Sequence, residues 1–501
     1  MRPSNRVLVT LLAFAVLVVP SVARAQDWPM YGRDLKHSFT NPASLINAGN
    51  VGLLMPAWDF TTGDVVSASP AVVHGVVYVG SWDGFFYALD AATGAVRWTF
   101  QVDCQGSVQP IPAQCPGGPS APSDRAETDG GLITSSAAVV DGKVYFAGGK
   151  TMYCLKAADG SLVWKKVICG NPEAPSCESD EADPTRIFSS PAVFQGNVYI
   201  GHTPDGANGY RGGIVALDAT TGALRRRFEV DPVLDASGNP VPGPGQNRGC
   251  GPVWSSAAVD ERNRLVFFGT GDCGFDAPPP YHEAILALQA GSLELRWAFR
   301  PRTSDACDFD LGASPNIIDL GGNRWVGEGG KDGTYYVLNR LTRSPGGQLV
   351  WNANVVFGGF SGGFIGSTAF DGRRVYGGTA FGELGNPNGV CDPNDPRDTP
   401  LQQPTMHAFD PAARTVAWEE NGGPALGASS VANGVVFVGT PAPPSLRAFD
   451  AQSGTLLRQI PMPGAVNSSA ALVGDRLFVG SGNSESGAGG GVHALRLPSL
   501  R

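Results

Sequence analysis

Apolar and polar positions along this chain alternate in short bursts rather than in long stretches. The clearest burst reads Ser69-Pro70-Ala71-Val72-Val73, His74-Gly75, Val76-Val77-Tyr78-Val79-Gly80, Phe86-Tyr87-Ala88-Leu89-Asp90, Thr93-Gly94, and Val96-Arg97-Trp98-Thr99-Phe100. Short runs rich in β-branched and aromatic residues, punctuated by Gly and polar pairs, predict four strands, with tight turns at the first and third junctions. The unit returns beginning near Ser135, Ser189, Ser255, Ala313, Ser367, Ser429 and Ser468, which makes eight copies. Such a unit buries its apolar faces by stacking on its neighbours.

The third and fourth strands of each unit carry Ala-x-Asp-x-x-x-Gly-x-x-x-Trp. The motif is intact at Ala88, Asp90, Gly94 and Trp98. It is partly kept at Cys154/Gly160/Trp164, Ala216/Asp218/Gly222, Ala287/Trp297, Ala408/Asp410/Trp418 and Ala448/Asp450/Gly454. The Gly suits a turn position with positive φ, and the Trp suits a large plate between neighbouring sheets. Four strands per unit with this motif predict an all-β fold: an eight-bladed β-propeller of four-stranded antiparallel blades. The eighth copy ends at Leu497-Pro498 without an outer Trp strand, while the run from Leu53 to Phe60 has no inner strands of its own. This N-terminal strand is predicted to pair with 491–497 and close the ring, which removes the exposed sheet edges.

Strands one and two meet at tight turns such as His74-Gly75, Asp141-Gly142, Gln195-Gly196, Asp371-Gly372, Asn433-Gly434 and Gly474-Asp475. Nearly all the long insertions sit at the opposite junctions, at 103–132, 169–187, 231–253, 273–282, 302–311 and 382–405. Long loops gathered on one face of a compact repeat predict a binding mouth there.

Composition adds a compartment. Arg2 and Arg6, the apolar run from Val7 to Val19, and Ala23-Arg24-Ala25 predict a secretory signal peptide over 1–25 and one propeller domain over 26–501. The apolar run is too short for a stable membrane span, and no later segment is apolar enough for one. A periplasmic or secreted protein is therefore expected. No Cys opens the mature chain, which argues against a lipid anchor. A net charge of -9 argues against nucleic acid or an anionic membrane surface as partner. Nine Cys in an exported chain allow up to four disulfides and one leftover thiol. Cys154 takes the place of the strand-three Ala and is expected to be a buried inert thiol. No Cys-x-x-Cys-His for a covalent haem occurs, and the six His show no metal-ligand spacing.

Chemistry concentrates between residues 250 and 340. The run Val253-Trp254-Ser255-Ser256-Ala257-Ala258-Val259-Asp260 through Phe268-Gly269-Thr270-Gly271-Asp272 resembles the central blade of quinoprotein alcohol dehydrogenases. In that family a Trp at this position stacks under pyrroloquinoline quinone (PQQ), and a Thr-Gly-Asn eighteen residues later places its Asn on a calcium ion. Trp254 and Asp272 have that spacing, and Asp keeps a hard oxygen ligand suited to calcium. The run Asp308-Phe309-Asp310-Leu311-Gly312-Ala313-Ser314-Pro315 is similar to Asp-Phe-Asp-Phe-Gly-Ser-Ser-Pro of polyvinyl-alcohol-dehydrogenase-like quinoproteins. An Asp of that run is the family's base for the alcohol proton. Lys331, in Gly330-Lys331-Asp332-Gly333, matches a family Lys or Arg that contacts the quinone oxygens. Two departures stand out. The family's Glu calcium ligand, counted back from Arg211-Gly212, falls on Ala207, with Asp205 near enough to substitute. The family's adjacent Cys-Cys pair is absent.

Position along the repeat supports one site. Trp254 starts a first strand, Asp272 ends a second, Asp308 and Asp310 precede a first, and Lys331 follows a second. All fall on the insertion-bearing face of two adjacent blades. They offer a flat apolar floor, a cation or metal, and a base, the parts a redox quinone needs.

The resemblance implies an exported PQQ-dependent dehydrogenase oxidising an alcohol or a polymeric polyol. Asp308 or Asp310 would take the hydroxyl proton, calcium would act as Lewis acid, and a separate acceptor such as a cytochrome c would collect the electrons. The rival readings are a non-catalytic propeller scaffold of the BamB type and a polymer- or glycan-binding propeller. Disulfides are expected as well. The hairpin around Glu261-Arg262-Asn263 is read with an index sum near 524, which sets Cys250 across from Cys273. Cys250 or Cys273 pairing with Cys307 is the alternative. Cys104–Cys115 and Cys169–Cys177 would close local loops, leaving Cys307–Cys391.

Overall fold

The structure is a computed structural model and describes residues 27–103, 133–170, 183–204, 210–231, 233–234, 240–241, 251–272, 281–303, 308–356, 358–359, 362–380, 404–483 and 488–498. Eight four-stranded antiparallel sheets form the blades. Blade 1 runs through Ala71–Val73, Val76–Gly80, Phe85–Asp90 and Val96–Gln101, innermost strand first. Blade 4 runs through Ala258–Asp260, Leu265–Gly269, Ile285–Gln289 and Leu295–Phe299. Blade 5 runs through Asn316–Leu320, Asn323–Gly329, Thr334–Asn339 and Leu349–Asn354. The second and third strands are buried on both faces, so they read as near-continuous apolar runs.

The repeat motif is an interblade joint. The Trp98 indole lies against Gly160 of blade 2, where a Cβ would stand 2.6 Å from the ring. Its Nε1 donates to the Ala157 carbonyl at 3.0 Å. Trp164 repeats the joint on Gly222 and Ala219, and Trp418 on Gly454 and Ala451. These glycines also hold positive φ, so the position is barred to other residues twice over. Nearer the axis, backbone N–H groups donate to serine hydroxyls of the next blade. Ser69 donates to Ser136 at 2.9 Å, Ser136 to Ser190 at 3.0 Å, Ser190 to Ser256 at 2.8 Å and Ser256 to Ser314 at 2.8 Å.

The N-terminal strand closes the ring. Met55–Thr61 pairs with Gly491–Arg496, from Met55 opposite Arg496 to Thr61 opposite Gly491. Leu53, expected in this strand, belongs instead to the 3-10 turn Val51–Leu53. Trp58 then docks on blade 1, bonding the Ala91 carbonyl at 3.1 Å. Ahead of this strand, the chain crosses the tight-turn face and bonds the innermost strands of blade after blade. Trp28 bridges Val72, and the carbonyls of Pro29, Leu35, Lys36, Ser38 and Phe39 accept from Val139, Val259, Ile317, Phe370 and Val431. Leu45 N–H donates to Gly474. Trp28 and Phe39 are fully buried by this crossing. Tyr31 bonds the Ser367 hydroxyl at 2.9 Å and lines the axial cavity from below.

One register differs from expectation. In blade 4 the hairpin pairs Ala258 with Phe267 and Asp260 with Leu265, an index sum of 525. The turn is one residue longer than read from the sequence. Cys250 and Cys273 themselves lie outside the described residues, as do Cys104, Cys115, Cys177, Cys307 and Cys391. Cys169 is disulfide-bonded, with a partner outside the described residues. Cys154 is free and buried, and burial pushes its thiol up to about 11. No described helix is long and apolar enough to cross a membrane. Residues 1–25 are outside the described residues.

Candidate functional site

Blades 4 and 5 bring five of the sequence-predicted residues together at the mouth. Ser255 Oγ donates to the Gly269 carbonyl at 2.8 Å and accepts from its N–H at 2.9 Å. This ties the start of the first strand to the end of the second, so Trp254 and Asp272 emerge side by side. Leu311 N–H donates to Thr270 at 3.1 Å across the blade seam, and Lys331 N–H to Asp310 at 2.9 Å. These bonds deliver Asp308, Asp310 and Lys331 to the same place.

Asp310 is the hub. Its carboxylate accepts from Trp254 Nε1 at 3.0 Å, from Asp272 N–H at 2.6 Å, and from Lys331 Nζ at 2.7 Å. Lys331 Nζ also reaches Asp308 at 3.0 Å and stands 5.9 Å from the Trp254 ring centroid. Gly312 lies directly against the indole, where a Cβ would come within 1.8 Å of Cζ2. Trp254 is thereby a plate bonded at its edge and flat on backbone, and it lines the axial cavity of about 180 Å³.

The electrostatics separate the two aspartates. One ammonium serves two carboxylates, and Asp310 takes two further donors. Asp308 does not, and its backbone sits at φ 56 in the left-handed region. Burial first, then the neighbouring Asp310 charge, push the Asp308 carboxyl up to about 8. Burial opposes the Lys331 charge, yet Asp310 and Asp308 together hold the ammonium above its ordinary value.

Three further residues were not legible as site residues. Glu283, fully buried, and His282 lie with Asp272 in a group whose ligand atoms fall within 4.8 Å of one another. That spacing suits a single bridging cation, and the carboxylates are hard oxygen donors. Arg302 contacts Glu283, Phe309 and Asp332. The adjacent pair His282-Glu283 before a third strand was the available signal, although two neighbouring residues form no metal-ligand spacing of their own. Asp205 and Ala207 lie outside the described residues.

Comparison with known proteins places this geometry. The profile of the PQQ glucose/ethanol/alcohol dehydrogenase β-propeller domain matches residues 28–352, which include all five residues at the mouth. That of outer membrane protein assembly factor BamB matches 336–499, which includes none of them. The dehydrogenase subunit of the quinone alcohol dehydrogenase of Gluconacetobacter polyoxogenes is 27% identical over 385 residues, 70% of this chain and 48% of that protein. Polyvinylalcohol dehydrogenase of Sphingopyxis sp. (strain 113P3) is 23% identical over 394 residues, 71% of this chain and 55% of that protein. The chain thus spans about half the length of the curated relatives it matches. Among solved structures, quinohemoprotein alcohol dehydrogenase from Comamonas testosteroni superposes with a TM-score of 0.74 at 21% identity. It covers 96% of this chain and 82% of its own. A europium-containing methanol dehydrogenase gives 0.72 at 19% identity, covering 94% and 98%.

Proposed function

The chain belongs to the PQQ glucose/ethanol/alcohol dehydrogenase β-propeller family, and from that premise we propose that it is an exported dehydrogenase oxidising an alcohol or polyol at the blade 4–5 mouth. The observation that carries the reading is the constellation of Trp254, Lys331, Asp308 and Asp310 around one point.

Trp254 offers the quinone an apolar plate held from behind by Gly312 and at its edge by Asp310. Lys331 sets a positive charge above that plate. Asp272 and Glu283 are the carboxylates that would hold the metal, with Asp205 the other candidate. When bound, PQQ supplies the acceptor for the hydride of the alcohol carbon, and the metal supplies Lewis acidity. Asp308 is the base: its side chain is 26% exposed against 6% for Asp310, and it carries no donor from Trp254 or Asp272. Once ionised, a carboxyl raised to about 8 is a stronger base than an ordinary carboxylate, so removal of the hydroxyl proton should rise as pH approaches that value. Asp310, spent on three donors, positions Trp254 and Lys331. Electrons then leave to a separate acceptor, of which a cytochrome c is one form.

The test loads the purified protein with PQQ and calcium and follows dye reduction with short alcohols and polyvinyl alcohol. A lanthanide arm belongs beside calcium, because a structural neighbour is a europium-containing methanol dehydrogenase. Quinone binding with alcohol-dependent turnover supports the reading. Failure to bind PQQ with either ion overturns it in favour of a scaffold.

A further inference from the structure

Arg302 follows the outer strand of blade 4, and its side chain is 17% exposed. Its guanidinium bonds residues that adjoin Asp308, Asp310 and Lys331. Nη1 donates to the Phe309 carbonyl at 2.9 Å, and Phe309 is the residue between Asp308 and Asp310. The guanidinium carbon stands 5.0 Å from the Phe309 ring centroid. Nη2 donates to Asp332, the residue after Lys331. Nη1 also lies 3.5 Å from Glu283, whose N–H donates at 3.0 Å to Gly271, the residue before Asp272.

We propose that Arg302 is a positioning residue that sets the spacing of Asp308, Asp310 and Lys331 by holding the Phe309 carbonyl between the two aspartates and the Asp332 carboxylate beside Lys331. A planar fork of donors suits the task, since one rigid group can bond a carbonyl and two carboxylates from three segments at once. A lysine offers a single point and cannot span them. The three segments come from different stretches of two blades, and the backbone bond from Lys331 N–H to Asp310 joins only two of them. The role rests on the reading of the site given above, because the spacing it sets matters to the reaction proposed there.

Arg302→Lys keeps a positive charge beside Glu283 and Asp332, so it avoids leaving two buried carboxylates uncompensated. In the PQQ-loaded protein it is expected to lower kcat on the order of 10–100-fold, the cost of misplacing reacting groups by about 1 Å. KM for the alcohol should stay within about twofold, because the lost bonds do not touch substrate. Millimolar guanidinium should restore part of kcat in Arg302→Ala. In a crystal structure of unloaded Arg302→Lys, the Lys331 Nζ separations from Asp308 and Asp310 should widen beyond the present 3.0 and 2.7 Å. Separations kept at those values overturn the proposal. If the wild type oxidises no alcohol, the functional reading fails by itself, and those separations still decide the role of Arg302.

Discussion

Replacing Gly312 with alanine adds one methyl group exactly where the Trp254 indole rests. The new Cβ would stand 1.8 Å from the ring, and ordinary contact begins at 3.4 Å, so the indole must withdraw by about 1.6 Å. Gly312 is not among the residues of positive φ, so alanine strains no backbone and the effect is steric. Backbone cannot yield, whereas Trp254 is half-buried beside the axial cavity and can swing into it. A shift of that size breaks the 3.0 Å bond to Asp310. Overpacking of this kind costs about 1–3 kcal/mol, and the open side of the ring puts the fold at the lower end. PQQ affinity is expected to fall at least about tenfold, equivalent to about 1.4 kcal/mol. Calorimetric titration of PQQ into the calcium-loaded variant measures it, with a melting curve as the check on folding. A dissociation constant within about twofold of wild type would refute the role of Trp254 as the cofactor plate.

Further outcomes follow from other parts of the molecule. In the unloaded protein the Asp308 carboxyl is raised, so a protonated carboxyl band persists through neutral pH and vanishes as pH rises past about 8. Infrared difference spectra against Asp308→Asn read that band, and its loss by pH 5 contradicts the assignment. Deleting 27–61 removes six ladder pairs and the bonds beneath the ring, and should lower the melting temperature by roughly 5–10 °C in a single transition. An unchanged melting temperature rules out closure by this strand. Trp98→Phe loses the 3.0 Å bond to Ala157 and should cost about 1 kcal/mol in urea unfolding. An identical midpoint and slope would show the joint to be packing alone.

The blades were legible because each strand is a compact apolar run between turn residues, and Trp98 with Gly94 marks the same joint in copy after copy. The site was legible where residues sit at strand ends, since position in the repeat fixes the face. Trp254, Asp272, Asp308, Asp310 and Lys331 met on that account. Arg302 was not, because it lies in an insertion that no repeat pattern places, and its partners come from three separate segments. The crossing of residues 27–45 was hidden for a related reason. Its backbone bonds to the blades come one or two at a time, which leaves no periodicity in Asp27-Trp28-Pro29-Met30-Tyr31. The blade 4 hairpin was misread by one residue because Arg264 adopts positive φ, extending the turn beyond its three central polar residues.

The crossing also bears on how the chain reaches this state. Residues 28–45 leave the ribosome before any blade exists, yet their partners include Val431 and Gly474, near the other end of the chain. The strand Met55–Thr61 likewise waits for Gly491–Arg496. Contacts at such separation in sequence are the slowest to form. Residues 28–61 are therefore seated only after Gly474 and the strand Gly491–Arg496 are in place, and the ring cannot lock before then. Until then the chain is an open array with its first and last sheets unpaired, the form in which exposed edges recruit other chains. Refolding from denaturant should accordingly show blade formation preceding a slow final step, one that is absent when residues 27–61 are removed.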